Sequence, residues 1–394
     1  MRALVSCLSI ALLAASPSVL AQGPSSAQAR PAATAASWGT VAIDADGSVL
    51  SWPESSSATP VPIPVTLPRK AVQAAVHQYT AFVLLEDGSV MGWGLNMYES
   101  LGVPAAVMRE RDTTDTPKPI PGLRDIVQIA ATYGHAVALR RDGAVFGWGE
   151  TVSGLRGTPD VSNADARRPS PVTQVPGIAD IVQVATAARH SLALTRDGHV
   201  VAWGENGKGE LGSGETGAPR GPGVVVSLDG VIAIAAGGST SVALKRDGTV
   251  WAWGWNQSGM LGNGLRPSTS EPGGSVPTPV AVKGVANVRA IAAGEGHVMA
   301  LLSDGTVRAW GHNGYGQIGS GTGGGYQLLP IKVPSLAGVT HISAGGLRSF
   351  AVTNDGRLWH WGTPIPVGGA RRPNQKVPAV LEGQVGVAPA APIR

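Results

Sequence analysis

The groups able to do chemistry in this chain are few, and their spacing matters more than their number. His135, His190 and His297 each stand four residues before an aliphatic residue that precedes an Asp-Gly pair, where other repeats carry Gly39, Thr80, Thr240 and Arg348. Recurrence at one turn position predicts structural hydrogen bonding, because catalysis needs a unique assembled constellation. His77, His199, His312, His341 and His360 show no metal-ligand spacing and no zincin motif. The run Gly319-Ser-Gly-Thr-Gly-Gly324 has the letters of a dinucleotide fingerprint without the strand before it and the helix after it that would place a pyrophosphate. Asp44-Ala-Asp46-Gly47 hints at calcium, but no bidentate glutamate closes a loop, and a hairpin accounts for it. No paired carboxylates, nucleophile elbow or phosphate loop stands out. The expectation is therefore no catalytic residue, no metal, no cofactor and no enzyme.

The elements that hold these groups come from a repeat. Asp-Gly occurs at positions 46, 87, 142, 197, 247, 304 and 355, and five residues after each glycine stands a tryptophan: Trp52, Trp93, Trp148, Trp203, Trp253, Trp310 and Trp361. Apolar, alternating residues flank each pair, which marks a hairpin whose glycine supplies a positive φ. A further Ala- and Gly-rich strand precedes each hairpin from the second onward, at 71–76, 126–131, 181–185, 231–236, 288–293 and 339–344. A Val/Pro-rich fourth strand follows each Trp-Gly loop. Four antiparallel strands in roughly 50 residues, repeated, predict an all-β, seven-bladed propeller in one domain. The tail at 381–388 resembles 123–130, so the C-terminal strand is expected to complete the blade begun at the N-terminus and remove its open edge.

Composition fits this reading. With 55 Gly and 30 Pro among 394 residues and only 14% charged, the chain is turn-dense rather than helical. A net charge of +4 without any long basic run does not point to nucleic acid. Residues 1–21, with Arg2, an apolar stretch and Val19-Leu20-Ala21, read as a signal peptide; 22–37 read as a disordered leader and 38–394 as the propeller. The single Cys7 falls in the signal, so the exported protein is expected to have no disulfide. No later stretch is apolar enough to span a bilayer, and the expected product is a monomer in the periplasm or outside the cell.

The stretches beginning Trp203-Gly-Glu-Asn, Trp253-Gly-Trp-Asn and Trp310-Gly-His-Asn, each continuing to a Leu/Ile-Gly-x-Gly, together with His190-Ser-Leu-Ala-Leu194, resemble repeats of the regulator of chromosome condensation family. The resemblance covers 38–388; unit 2 has Glu99 in place of glycine, unit 3 has Thr151 in place of asparagine, and units 1 and 7 lose the loop motif. It implies a binding platform. Nuclear members of that family exchange nucleotide on a small GTPase and bind chromatin, whereas a secreted actinobacterial propeller of similar repeats inhibits β-lactamases with one face. For an exported chain the resemblance therefore implies protein binding, as an inhibitor or assembly factor, with nucleotide exchange as the alternative and a channel hydrolase or lyase as a third.

Strand order puts the Asp-Gly turns and short linkers on one face, which reads as structural. The opposite face collects the turns between first and second strands and the long loops after Trp-Gly. Its expected contact residues are Trp38, Tyr79, Tyr98, Tyr133, Arg189, Trp255, Tyr315 and Arg348, since aromatics and arginine favour interface cores. Trp251 and Trp359 stand two residues before a marker tryptophan, in a column broken by Arg308, and are expected to pack between blades.

Overall fold

The computed structural model describes residues 10–11, 32–36, 39–44, 46–53, 63–77, 80–96, 99–102, 112–132, 134–150, 154–155, 157, 172–265, 274–364 and 373–380. Among the described residues, six four-stranded antiparallel sheets follow one another, each built from four strands consecutive in sequence. With blades numbered by the repeat that supplies their Asp-Gly hairpin, the four-stranded ones are blades 2 to 7. In blade 4, for example, the strands run from inside outward as Ile181–Thr186, His190–Thr195, Val200–Asn206 and Gly217–Val224.

The count of seven four-stranded blades is thus corrected to six, and the first repeat builds a sheet of another make-up. Its hairpin, Gly39–Asp44 with Val49–Pro53, carries Ile63–Val65 outside, and inside it pairs with Ala32–Ala36 and with the two residues Ile10–Ala11. Ala32 pairs with Ile43 and Ala36 with Gly39, the register in which Gln128 pairs with Leu139 and Thr132 with His135. A segment of the expected leader therefore takes the inner-strand position, with its backbone beside the inner strands of blade 2 (Ala71–His77) and blade 7 (Val339–Gly345). Small residues suit this crowded axis, although alanine carries little strand signal of its own. The tail at 381–388, expected to fill the same position, lies outside the described residues.

Each hairpin closes in the same way. Leu85 N–H donates to the Ser89 carbonyl and Gly88 N–H to Leu85, a pattern repeated in blades 3 to 7. This is a three-residue turn whose glycine sits at φ +80 in blade 2 and +90 in blade 4, a region costly for any residue with a Cβ. The aspartate caps the turn: Asp87 Oδ1 accepts from Ser89 N–H at 3.0 Å and Asp247 Oδ1 from Thr249 N–H at 3.0 Å.

The core lies between sheets. Each seam is an apolar cluster that receives one marker tryptophan: Trp148 between blades 2 and 3, Trp203 between 3 and 4, Trp253 between 4 and 5, Trp310 between 5 and 6, and Trp361 between 6 and 7. These five rings are fully buried. Trp251 packs in the seam of Trp253 and Trp359 in that of Trp361, as their position on the same strand face requires.

Candidate functional site

The loop-bearing face is assembled by side chains that join one blade to the next. In blades 3 to 7 the marker indole N–H donates to a loop carbonyl of the preceding blade: Trp148 to Ser100, Trp203 to Leu155, Trp253 to Glu210, Trp310 to Met260 and Trp361 to Gln317, all within 2.7–2.9 Å. In blades 4 to 6 the loop that accepts is itself folded around a buried asparagine. Asn206 Oδ1 takes the Leu211 N–H and its Nδ2 donates to Glu215; Asn256 and Asn313 do the same for Leu261 and Leu265, and for Ile318 and Thr322. Glu99 occupies the glycine position of this loop in blade 2 and adopts φ +53. The far end of each loop then reaches the outer strand of the next blade, with Gly214 N–H on Pro277, Gly264 on Leu328 and Gly321 on Lys376.

The three recurrent histidines are part of this lacing. His135 Nε2 meets Ser191 Oγ at 2.8 Å, His190 meets Ser241 at 2.8 Å and His297 meets Ser349 at 2.6 Å, every pair crossing to the following blade. Ser241 and Ser349 spend their own hydroxyl protons on the Glu210 and Gln317 carbonyls, so the histidine Nε2 must carry the proton it donates. Burial holds His190 and His297 down to about 3, hence neutral. In blades 2, 5 and 7, which lack the histidine, the side chain bonds within its own blade: Thr80 to Leu95, Thr240 to Trp255, Arg348 to Thr363 and Pro364. For the two threonines, the serine position one repeat later holds Ala136 and Val298.

A second lacing, unforeseen from sequence, rings the inner strands. Gln73 donates to the Ile129 carbonyl and accepts its N–H, and Gln128 with Val184 and Gln183 with Ile234 repeat the exchange at 2.6–3.0 Å. A bulge precedes each glutamine in the strand register and turns the side chain toward the neighbouring blade. The legible signal was a glutamine recurring at positions 73, 128 and 183 on otherwise apolar strands.

Of the eight expected contact residues, Trp38, Tyr79, Tyr98 and Tyr133 lie outside the described residues. Arg348 is corrected: it is 6% exposed and its guanidinium ties down the end of its own blade. Arg189 is half exposed and pairs with Glu205 at 2.7 Å. Nearby, burial pushes the Glu150 carboxyl up, with Arg189 pulling the other way. Trp255 is half-buried with the Lys208 ammonium 5.4 Å from its ring centre, a cation–π contact between loops of successive blades. On blade 6, His312 stands between Tyr315 and Tyr326 with ring centres 5.9 and 5.6 Å away, and Gln317 bonds its Nδ1 at 2.9 Å. Tyr315 is 41% and Tyr326 53% exposed. The structure thus gathers Arg189, Lys208, Trp255, His312, Tyr315 and Tyr326 along the rim of blades 4 to 6. The glycine run 319–324 belongs to the blade 6 loop, where Gly321 and Gly324 N–H groups donate to Lys376 and Asn313. Among the described residues no group of three or more His, Cys, Asp or Glu could hold a metal ion, and no helix is long and apolar enough to cross a membrane.

Comparison with known proteins agrees with this architecture. The Ultraviolet-B receptor UVR8 of Arabidopsis thaliana is 30% identical over 303 residues, covering 75% of this chain and 66% of the receptor. The E3 ubiquitin-protein ligase HERC2 of Homo sapiens is 31% identical over 309 residues, 77% of this chain but 5% of the ligase, so the chain spans less than two thirds of these relatives. Among solved structures, Prp20p of Saccharomyces cerevisiae superposes with a TM-score of 0.69 at 23% identity, covering 80% of both chains. Human WBSCR16 gives 0.71 at 24% identity, over 82% of this chain and 84% of its own. Residues 53–365 match the RCC1-like domain, and the chain belongs to that family.

Proposed function

We propose that this chain is an exported, non-enzymatic propeller that binds another protein through the loop-bearing rim of blades 4 to 6, acting as an inhibitor of, or assembly factor for, that partner. One observation carries the reading. The loop backbones are fixed by asparagine bonds within each loop and by tryptophan and glycine contacts with the next blade, while Trp255, Tyr315 and Tyr326 keep part of their rings in solvent. Rigid aromatics on an ordered scaffold bury area on binding with little further loss of entropy. Export rests on the signal-like residues 1–21. No nucleic acid, cofactor or membrane insertion enters this proposal, and the working unit is a monomer.

The test is affinity capture from the exported fraction by the mature protein and by a Trp255→Ala, Tyr315→Ala, Tyr326→Ala variant. A partner held by the first and lost by the second, with the variant's thermal transition retained, supports the surface; equal capture by both sinks it. A second reading, nucleotide exchange on a small GTPase, draws on the likeness to Prp20p, a protein described with its binding to Gsp1p and histones. Faster nucleotide release from a small GTPase on addition of the mature chain would replace the first reading with the second.

A further inference from the structure

Two neighbouring seams share a framework and differ in what is added to it. Between blades 4 and 5, Trp253 bonds Glu210, Val231 N–H bonds Gly198 and Gly214 N–H bonds Pro277. Between blades 5 and 6 the same three bonds recur as Trp310 to Met260, Val288 to Gly248 and Gly264 to Leu328. The first seam then adds the two-way Gln183–Ile234 clamp and the His190–Ser241 staple. The second adds neither, because Ala233 stands in the glutamine position, Thr240 in the histidine position and Val298 in the serine position.

On both flanks the lacing resumes. Glutamine clamps join blades 2, 3, 4 and 5, and blades 6 and 7 are joined by Arg289 to the Val339 carbonyl at 2.7 Å and by His297 to Ser349. The seam between 5 and 6 carries one more departure. Arg308 occupies the column where other blades put Met91, Phe146, Val201, Trp251 and Trp359, on the strand face of Trp310, and its buried Nε has no hydrogen-bond partner among the described residues. Buried apolar contact is non-directional, so it resists separation of two sheets more than it resists their sliding. Directional bonds fix register, and here neither the glutamine clamp nor the histidine staple supplements the Trp310–Met260 bond.

We infer that the seam between blades 5 and 6 is a shear plane, along which an arc of blades 2 to 5 slides against an arc of blades 6 and 7. The inference stands apart from the proposed partner and needs none. Its consequence is geometric: Lys208 and Trp255 ride on one arc, His312, Tyr315 and Tyr326 on the other, so their relative placement is adjustable.

The marker indoles of blades 3 to 7 report their seams separately, since all five donate a buried N–H across one. Hydrogen exchange of the indole N–H groups, followed by NMR on the full mature chain, is expected to show Trp310 exchanging about tenfold or more faster than Trp203 and Trp253, the mark of a lower local opening energy. Thr240→His with Val298→Ser transplants the staple and is expected to slow Trp310 while leaving Trp203 unchanged. Exchange of Trp310 no faster than that of Trp253 in the unmodified chain overturns the inference, whatever the fate of the variant. So does a folded double variant in which NMR shows the introduced imidazole bonded to the introduced hydroxyl and Trp310 exchange is unaltered.

Discussion

The two faces of the propeller obey the same repeat with different strictness. On the Asp-Gly face the described turns are nearly copies, with glycine φ between +78 and +90, and the turn carbonyl of one unit accepts an N–H from the inner strand of the next, as from Gly47 to Ala71 and from Gly305 to Val339. On the loop face only the anchors recur, and the residue after Trp-Gly runs through Leu95, Glu150, Glu205, Trp255, His312 and Thr363. Where backbone joins backbone, only residues tolerating that geometry are admitted; where side chains join blades, several solutions serve and the outward atoms are free to vary. The face that varies is the one proposed above as the partner surface.

The sharpest way to break this contrast is to remove an anchor. Trp253→Ala deletes a fully buried ring and an indole hydrogen bond to Glu210, and is expected to cost about 3–5 kcal/mol. Trp251→Ala, two residues away on the same strand, removes a half-buried ring lying under Lys245 and is expected to cost about half as much. Denaturant unfolding of the two variants measures the gap; equal losses would mean that the anchors of the loop face are not special.

Next in size are the histidine staples. His190→Ala leaves Ser241 without its cross-blade donor and opens a small void, for an expected loss of about 1–3 kcal/mol by chemical denaturation. The same groups make the fold sensitive to acid, with a definite sign. In the unfolded chain a histidine takes up its proton near pH 6.5, but in the fold His190 and His297 stay neutral down to about 3. The unfolded state therefore binds more protons between those limits, so stability is complete above about 6.5 and falls as pH drops toward 3, by up to about 1.4 kcal/mol per pH unit for each residue. A His190→Gln variant, if less stable at pH 7, should lose less on acidification than the parent.

Much of this was legible in the sequence. The Asp-Gly to tryptophan spacing located every described hairpin, and recurrence of His135, His190 and His297 at one position pointed to a structural role. Their partners were one repeat further on, and only a comparison of His190 with Ser241, rather than with its own neighbours, would have exposed them. Ala32–Ala36 escaped because an inner strand at a crowded axis needs small residues, and small residues in a row look like a leader. Arg348 was misplaced for a related reason: its repeat position belongs to a turn, but its length lets the guanidinium fold back onto the Thr363 and Pro364 carbonyls. Side-chain direction at such turns depends on what lies one blade away, and a single repeat does not contain that information.

On the turn face, Asp247→Ala removes the acceptor of the Thr249 N–H and hydroxyl at 3.0 and 2.6 Å, leaving the Gly248 turn itself intact. Because the backbone bonds of that hairpin remain, the expected loss is about 0.5–1 kcal/mol. The smallest effect belongs to the loop face, the proposed partner surface. Arg189 and Glu205 pair at 2.7 Å, but they are 50% and 30% exposed, so water screens the pair and a double-mutant cycle with Arg189→Ala and Glu205→Ala should return about 0.2–1 kcal/mol of coupling. A coupling several times larger would make this pair a structural clasp like the histidine staples; a value in the expected range leaves Arg189 able to exchange Glu205 for a partner's carboxylate at little cost to the fold.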